Sequence, residues 1–195
     1  MFRKFIVTLI LVKKYCHKFE DALIKKQRIL GIDPGSRLTG FGVIDFYGDK
    51  AKYVSSGTIK STDGAFANRL KQIFESINEI SSKYRPDIVV IESVFMHKNA
   101  GSALKLGHAR SAAMCATFSH GVEIYEYAPK EIKRAVVGTG AATKEQVQHM
   151  ITHILKLDGT PAEDAADALA VAICHGHQSR IQDYLGTSKP LAGSA

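Results

Sequence analysis

Cysteine is scarce in this 195-residue chain: Cys16, Cys115 and Cys174 are far apart, odd in number and without CxxC spacing. That excludes a disulfide framework or a zinc ribbon and fits a protein of the reducing cytoplasm. Long apolar runs are missing too. The most apolar stretch of the N-terminal region, residues 5–12, lies between Arg3-Lys4 and Lys13-Lys14, whereas a bilayer span needs about 18 or more. No small-residue cleavage site follows it, so it does not read as a secretory signal. There is no internal repeat, no Ser-His-Asp arrangement and no phosphate loop. Residues 138–144, GTGAATK, lack GxxxxGK[ST] spacing and follow a helix pattern.

Excess charge is also largely missing from the domain. The net charge is +7, but residues 1–28 hold eight Lys and Arg against two acids, which leaves 18 against 17 in the rest. Bulk charge therefore says little. Residues 98–156 nevertheless carry eight basic residues against four acidic ones, a strip able to face a phosphate backbone. The length suits one domain over residues 28–178. Residues 1–27 are expected to be a peripheral extension or to reflect a start assigned too far upstream. Residues 179–195 read as a flexible, loop-like tail.

What is present is an α/β pattern with an apolar fraction of 45%. The organising stretch is residues 28–42, RILGIDPGSRLTGFG. Ile29, Leu30 and Ile32 make a strand buried on both faces that ends in a carboxylate, Asp33, before Pro34 and Gly35 break it. The glycine-rich hairpin that follows is read as allowing close approach of a DNA backbone. Two further antiparallel strands are expected, then a helix with an apolar stripe from Phe66 to Tyr84 that includes Phe74. Residues 87–92, DIVVIE, repeat the opening pattern: an apolar strand ending in Glu92. If the intervening helix crosses over, the strands lie parallel and both acids emerge at one sheet edge. Asp33 alone is equally explained as a turn-stabilising residue, and Glu92 alone as half of a salt bridge.

The loop after Glu92 carries Phe95, Met96, His97 and Lys98, and Phe95 either stacks on a base or packs onto the domain. Residues 99–118 form a helix rich in Ala, Gly and Ser, suited to close packing on the sheet or to a two-fold interface. A fifth strand follows, then a helix opening at Pro129 with Lys130, Lys133 and Arg134, then one containing His149 and His153. These two histidines lack a third metal partner. Thr160-Pro-Ala-Glu163 reads as a capping box that starts the last helix at Pro161 and occupies Glu163. Asp164 and Asp167 then fall one turn apart on one face, with Ala165, Ala166, Ala168 and Ala170 leaving room for a large neighbour. Cys174, His175 and His177 diverge on that helix and do not read as a metal cluster.

Asp33, Glu92, Asp164 and Asp167 make four carboxylates from two strand ends and one helix face. Such a set repels itself unless cations neutralise it, and hard oxygen ligands suit Mg²⁺ or Mn²⁺. A pair of such ions bridging a phosphate implies phosphodiester hydrolysis. The motifs ILGIDPGSRLTGFGVI, IESVFMHKNAGSALKLGHAR, TKEQVQHM and EDAADALAVAICH, in this order and spacing, resemble the RuvC family of Holliday-junction resolvases over residues 28–177. The resemblance implies a ribonuclease H-like fold, a five-stranded mixed sheet flanked by helices. It implies a homodimer that places paired, symmetric, Mg²⁺-dependent nicks in a four-way DNA junction, alongside the branch-migration proteins RuvA and RuvB, in recombination and repair. By the same resemblance the four acids are catalytic metal ligands, with two ions expected per subunit and Mn²⁺ able to substitute. Phe95 takes the place of an aromatic that stacks near the junction centre, and Lys133 and Lys144 those of basic residues near bound phosphates; Lys98 joins the DNA-binding set from the same loop. Three other readings compete. A sugar-kinase or actin-like ATPase needs a duplicated domain that the chain lacks. A non-cutting junction-binding module would be favoured by loss of an acid, and a ribonuclease H-like nuclease on another nucleic acid would keep the four acids.

Overall fold

The computed structural model describes residues 26–61, 64–93 and 100–184. Strands β1 (Gln27–Asp33), β2 (Leu38–Tyr47) and β3 (Lys50–Lys60) are followed by helix α1 (Phe66–Tyr84), β4 (Ile88–Glu92), α2 (Ala100–Cys115) and β5 (Glu123–Tyr127). Helices α3 (Pro129–Val137), α4 (Lys144–Ile154) and α5 (Glu163–Tyr184) complete the chain. The five strands form one mixed sheet in the order β3-β2-β1-β4-β5. β1, β2 and β3 make an antiparallel meander, while β4 and β5 run parallel to β1.

Side-chain alternation divides the core in two. Leu30, Ile32, Val43, Val89 and Ile91 pack with α1 and α2, whereas Ile29, Ile44, Phe46, Ile88 and Val90 pack with α3, α4 and α5. Both faces are covered, which is why β1 and β4 read as unbroken apolar runs. The α1 stripe is narrower than its spacing suggests: Ile73, Ile77 and Ser81 are buried, but Phe74 is 42% exposed. Arg85, in the left-handed region at φ 47°, closes α1 by donating its N–H to the Ser81 carbonyl, and Pro86 prevents continuation.

Helix α5 lies unusually close to the sheet, and the glycines are the reason. A Cβ added at Gly31 would sit 2.1 Å from the Ala168 carbonyl oxygen, and one at Gly40 would sit 1.9 Å from that of Asp164. The hairpin glycines therefore admit a helix, not a DNA backbone as expected from the sequence. The large neighbour of the α5 alanines is correspondingly the sheet: Ala165, Ala166, Ala168 and Ala170 are all buried.

Two further expectations are corrected. The last helix starts at Glu163, not Pro161, and the Glu163 carboxylate contacts Lys144. Gln148 Nε2 holds the Pro161 carbonyl at 2.6 Å, and the first helical bond runs from the Ala166 N–H to the Ala162 carbonyl. That contact with α4 draws residues 160–162 out of the helix. The same helix continues to Tyr184, so the stretch from Ser179 is not loop-like at its start.

Candidate active site

β1 and β4 are in register from Ile29 opposite Ile88 to Ile32 opposite Ile91, so Asp33 and Glu92 come next, side by side at the ends of parallel strands. Each lies two residues beyond a position on the α5 face, Gly31 and Val90, and so turns to that same face. On the other side of β1, Asp33 is paired with Gly40, the glycine directly beneath Asp164. Asp167 follows one turn along α5. Three elements thus bring Asp33, Glu92, Asp164 and Asp167 to one corner.

Their electrostatics are those of an unneutralised cluster. Burial, reinforced by the charge of Glu92, by a hydrogen bond to Glu92 and by Asp167 and Asp164, pushes the Asp33 carboxyl up to about 9. Glu92 is also raised by burial, against the pull of its bond with Asp33 and of Lys133 and Lys144. Burial raises Asp167 as well, opposed by Lys144. Without a cation, burial and the neighbouring acids favour a proton on the Asp33–Glu92 pair.

The donor set is all oxygen and carries more negative charge than its surroundings offset, which suits a hard divalent cation. Among the described residues no three acids are drawn tightly enough around one point to ligate an ion as they stand. The Asp33–Glu92 contact is the part that a cation would have to open, exchanging for the pair's proton.

Lys133 Nζ donates to the Ala142 carbonyl at 2.7 Å, and Lys144 Nζ lies 4.0 Å from Asp167 Oδ2. Lys144 thus stands at the cluster, and the charges of both lysines act on Glu92 and Asp167. Phe95 and Lys98 lie outside the described residues. The described chain leaves the sheet beside the site, at Ser93, whose N–H donates to the Tyr127 carbonyl at 2.9 Å.

His149 and His153 are exposed. Cys174 is buried with its thiol pushed up to about 12, and His177 faces the Ala135 carbonyl. His175 is buried between Tyr125 and Tyr127, 3.0 Å from the Tyr127 hydroxyl, and burial pushes it down to about 4. These side chains diverge as expected. The residue that sequence reasoning missed is Glu163, whose carboxylate contacts Lys144. The available signal was its i, i+4 spacing to Asp167, which places it on the site face.

The family model of Crossover junction endodeoxyribonuclease RuvC matches residues 29–175. The chain belongs to the RuvC family. It is 51% identical over 169 residues to the RuvC of Bordetella avium, spanning 86% of this chain and 92% of that protein. To the RuvC of Pseudoalteromonas atlantica it is 56% identical over 149 residues, 76% of this chain and 86% of that one. Among solved structures it resembles Thermus thermophilus RuvC in complex with a Holliday junction substrate, at 34% identity and a TM-score of 0.76, covering 85% of this chain and 99% of that one. The yeast mitochondrial Holliday junction resolvase Ydc2 shares the fold at 13% identity and a TM-score of 0.60, covering 82% and 84%. The chain is thus a nuclease of ribonuclease H-like fold that depends on divalent metal.

Proposed function

We propose that this protein resolves four-way DNA junctions by paired, symmetric hydrolytic nicks, using Mg²⁺ held by Asp33, Glu92, Asp164 and Asp167. The observation that carries the reading is the meeting of Asp33 and Glu92 at parallel strand ends, beneath the face of α5 that bears the two aspartates. Two divalent ions per subunit, with Mn²⁺ able to substitute, supply when bound the charge that activates water and stabilises the leaving oxygen. The chain's own part is to gather the carboxylates, give up the Asp33–Glu92 proton and present Lys133 and Lys144 to the phosphates. The packed aliphatic floor of Ile29, Ile88 and Val90 keeps β1 and β4, and hence the acids at their ends, in register.

Two equivalent strands must be cut to resolve a junction without a gap, so the active form is a C2 homodimer. Helix α2 is the interface candidate: Ala109 and Ala113 face the core, while Leu104 nearer its start is 65% exposed. The protein works in the cytoplasm, in recombination and repair, with RuvA and RuvB supplying branch migration. No described helix is long and apolar enough to cross a membrane. Phe95 stacks near the junction centre, and Lys98 binds the DNA.

Incubation with a labelled four-way junction and Mg²⁺, beside Asp33→Asn, tests the reading. Symmetric nicks by the wild type, and binding without cleavage by the variant, are expected. Equal cutting by both defeats it, and preference for an RNA–DNA hybrid over the junction favours a nuclease of another substrate class. Sedimentation with bound junction DNA that shows only monomer defeats the dimer.

A further inference from the structure

Glu163 stands outside the quartet, yet its carboxylate holds the ammonium of Lys144. Lys144 opens α4, where the Thr143 hydroxyl accepts from the Gln146 N–H and the Gln146 side chain accepts from the Thr143 N–H. This reciprocal cap fixes the backbone from which the lysine stem departs. One turn on, Gln148 binds the Pro161 carbonyl and ties α4 to the approach to α5. Glu163 and Asp167 are four residues apart on α5, and the ammonium reaches both, touching Glu163 and lying 4.0 Å from Asp167 Oδ2. A cation in the first turn of a helix opposes the helix dipole, so α4 itself gives Lys144 no reason to be there. The reason is the acids of α5. Lys133 differs, since its ammonium rests on a neutral acceptor, the Ala142 carbonyl.

We propose that Glu163 is a positioning residue that holds Lys144 at the outer rim of the site until a phosphate of the nucleic acid displaces it. This rests on the reading of Lys144 as a phosphate-binding residue. The pair is more than half exposed on both sides, so it is weak enough for a phosphodiester to replace the carboxylate. A lysine already neutralised by Glu163 adds less to the release of DNA counterions than a free one. Glu163 therefore weakens the hold on nucleic acid and flattens its salt dependence, and it does so only through Lys144.

The test is the affinity of the full chain for a four-way junction without metal, in EDTA, over a range of KCl concentrations. Glu163→Gln is expected to tighten binding by about two- to fivefold at fixed salt and to steepen the slope of log K against log [salt] by up to about 0.9, because no displaced carboxylate is left beside the phosphate to offset the counterion that Lys144 releases. In a Lys144→Gln background the same change is expected to have no effect. In Mg²⁺-supported turnover the gain falls on KM and not on kcat. An unchanged slope in Glu163→Gln, or an equal gain with and without Lys144, overturns the proposal. If Lys144→Gln weakens binding but Glu163→Gln has no effect, the positioning role alone is lost. Wild-type binding by Lys144→Gln removes the positioning role and the phosphate reading together.

Discussion

β1 carries charge at both ends, and the two ends are opposites. At its start, Arg28 faces Asp45 across the β1–β2 ladder, with Nε at 2.8 Å and Nη2 at 3.1 Å from the two carboxylate oxygens. Lys26 adds a contact at 2.8 Å, and Arg28 also binds the Tyr84 carbonyl and, through its backbone, Asp87. Burial alone would raise the Asp45 carboxyl, but the bonds from Arg28 and Lys26 outweigh it and hold the group below its ordinary value. At its other end burial and the neighbouring acids Glu92, Asp167 and Asp164 push Asp33 up to about 9. The same residue type in the same sheet, on β1 or opposite it on β2, is a satisfied charge at one end of β1 and an unsatisfied one at the other. A satisfied charge holds β2, α1 and β4 together; an unsatisfied one stores a demand for a cation.

The most severe way to test this contrast is to neutralise one acid at each end. Asp33→Asn is expected to lower junction cleavage roughly a thousandfold or more, the equivalent of several kcal/mol of lost charge stabilisation. Yet the metal-free protein should melt a few degrees higher, because the unfolded chain no longer gains by releasing a proton that the fold retains on Asp33. Asp45→Asn should do the reverse, destabilising the fold by about 2 to 4 kcal/mol in chemical denaturation, since it leaves the Arg28 charge poorly paired. A lower melting temperature for Asp33→Asn without metal would break the comparison.

Gly40→Ala asks whether the site depends on the depth of α5. Its new methyl would enter the space of the Asp164 carbonyl, so the helix must lift. An expected loss of about 1 to 3 kcal/mol should come with a fall in cleavage larger than any fall in junction binding. Cleavage at the wild-type rate would show that the aspartates do not need this seating.

pH gives the subtlest version of the contrast. Between its unfolded value of about 3.9 and about 9, Asp33 in the metal-free fold keeps a proton that the unfolded chain has released. Stability should therefore fall as pH rises through that window. Asp45 works in the other direction: its contribution is present above about pH 4 and is lost as pH falls through its lowered native value. Calorimetric melting without metal should show the alkaline decline in the wild type but not in Asp33→Asn. Titration with Mg²⁺ should release protons, with affinity rising towards pH 9. A flat response removes the Asp33–Glu92 proton from the account.

The carboxylates were legible in the sequence because of where they break the pattern. An acid at the end of an apolar strand is conspicuous at both Asp33 and Glu92, and i, i+3 spacing joins Asp164 to Asp167 whatever the rest of the fold does. Glu163 was hidden by a local signal that tertiary contact overrode: Thr160-Pro-Ala-Glu163 satisfies the capping pattern, but Gln148 takes the Pro161 carbonyl into a contact between helices. The glycines misled for the same reason. Gly31 and Gly40 announce a close approach without saying what approaches.

The amino-acid sequence by itself determined the strands, the helices, the family and the four acids, because periodicity, turn residues and motif order are properties of neighbours along the chain. Only the tertiary structure decided that burial favours a proton on the Asp33–Glu92 pair, that the glycines seat α5, and that Lys144 is divided between Glu163 and Asp167. Each of those depends on distances between groups far apart in sequence, where burial removes water and leaves charges to find one another.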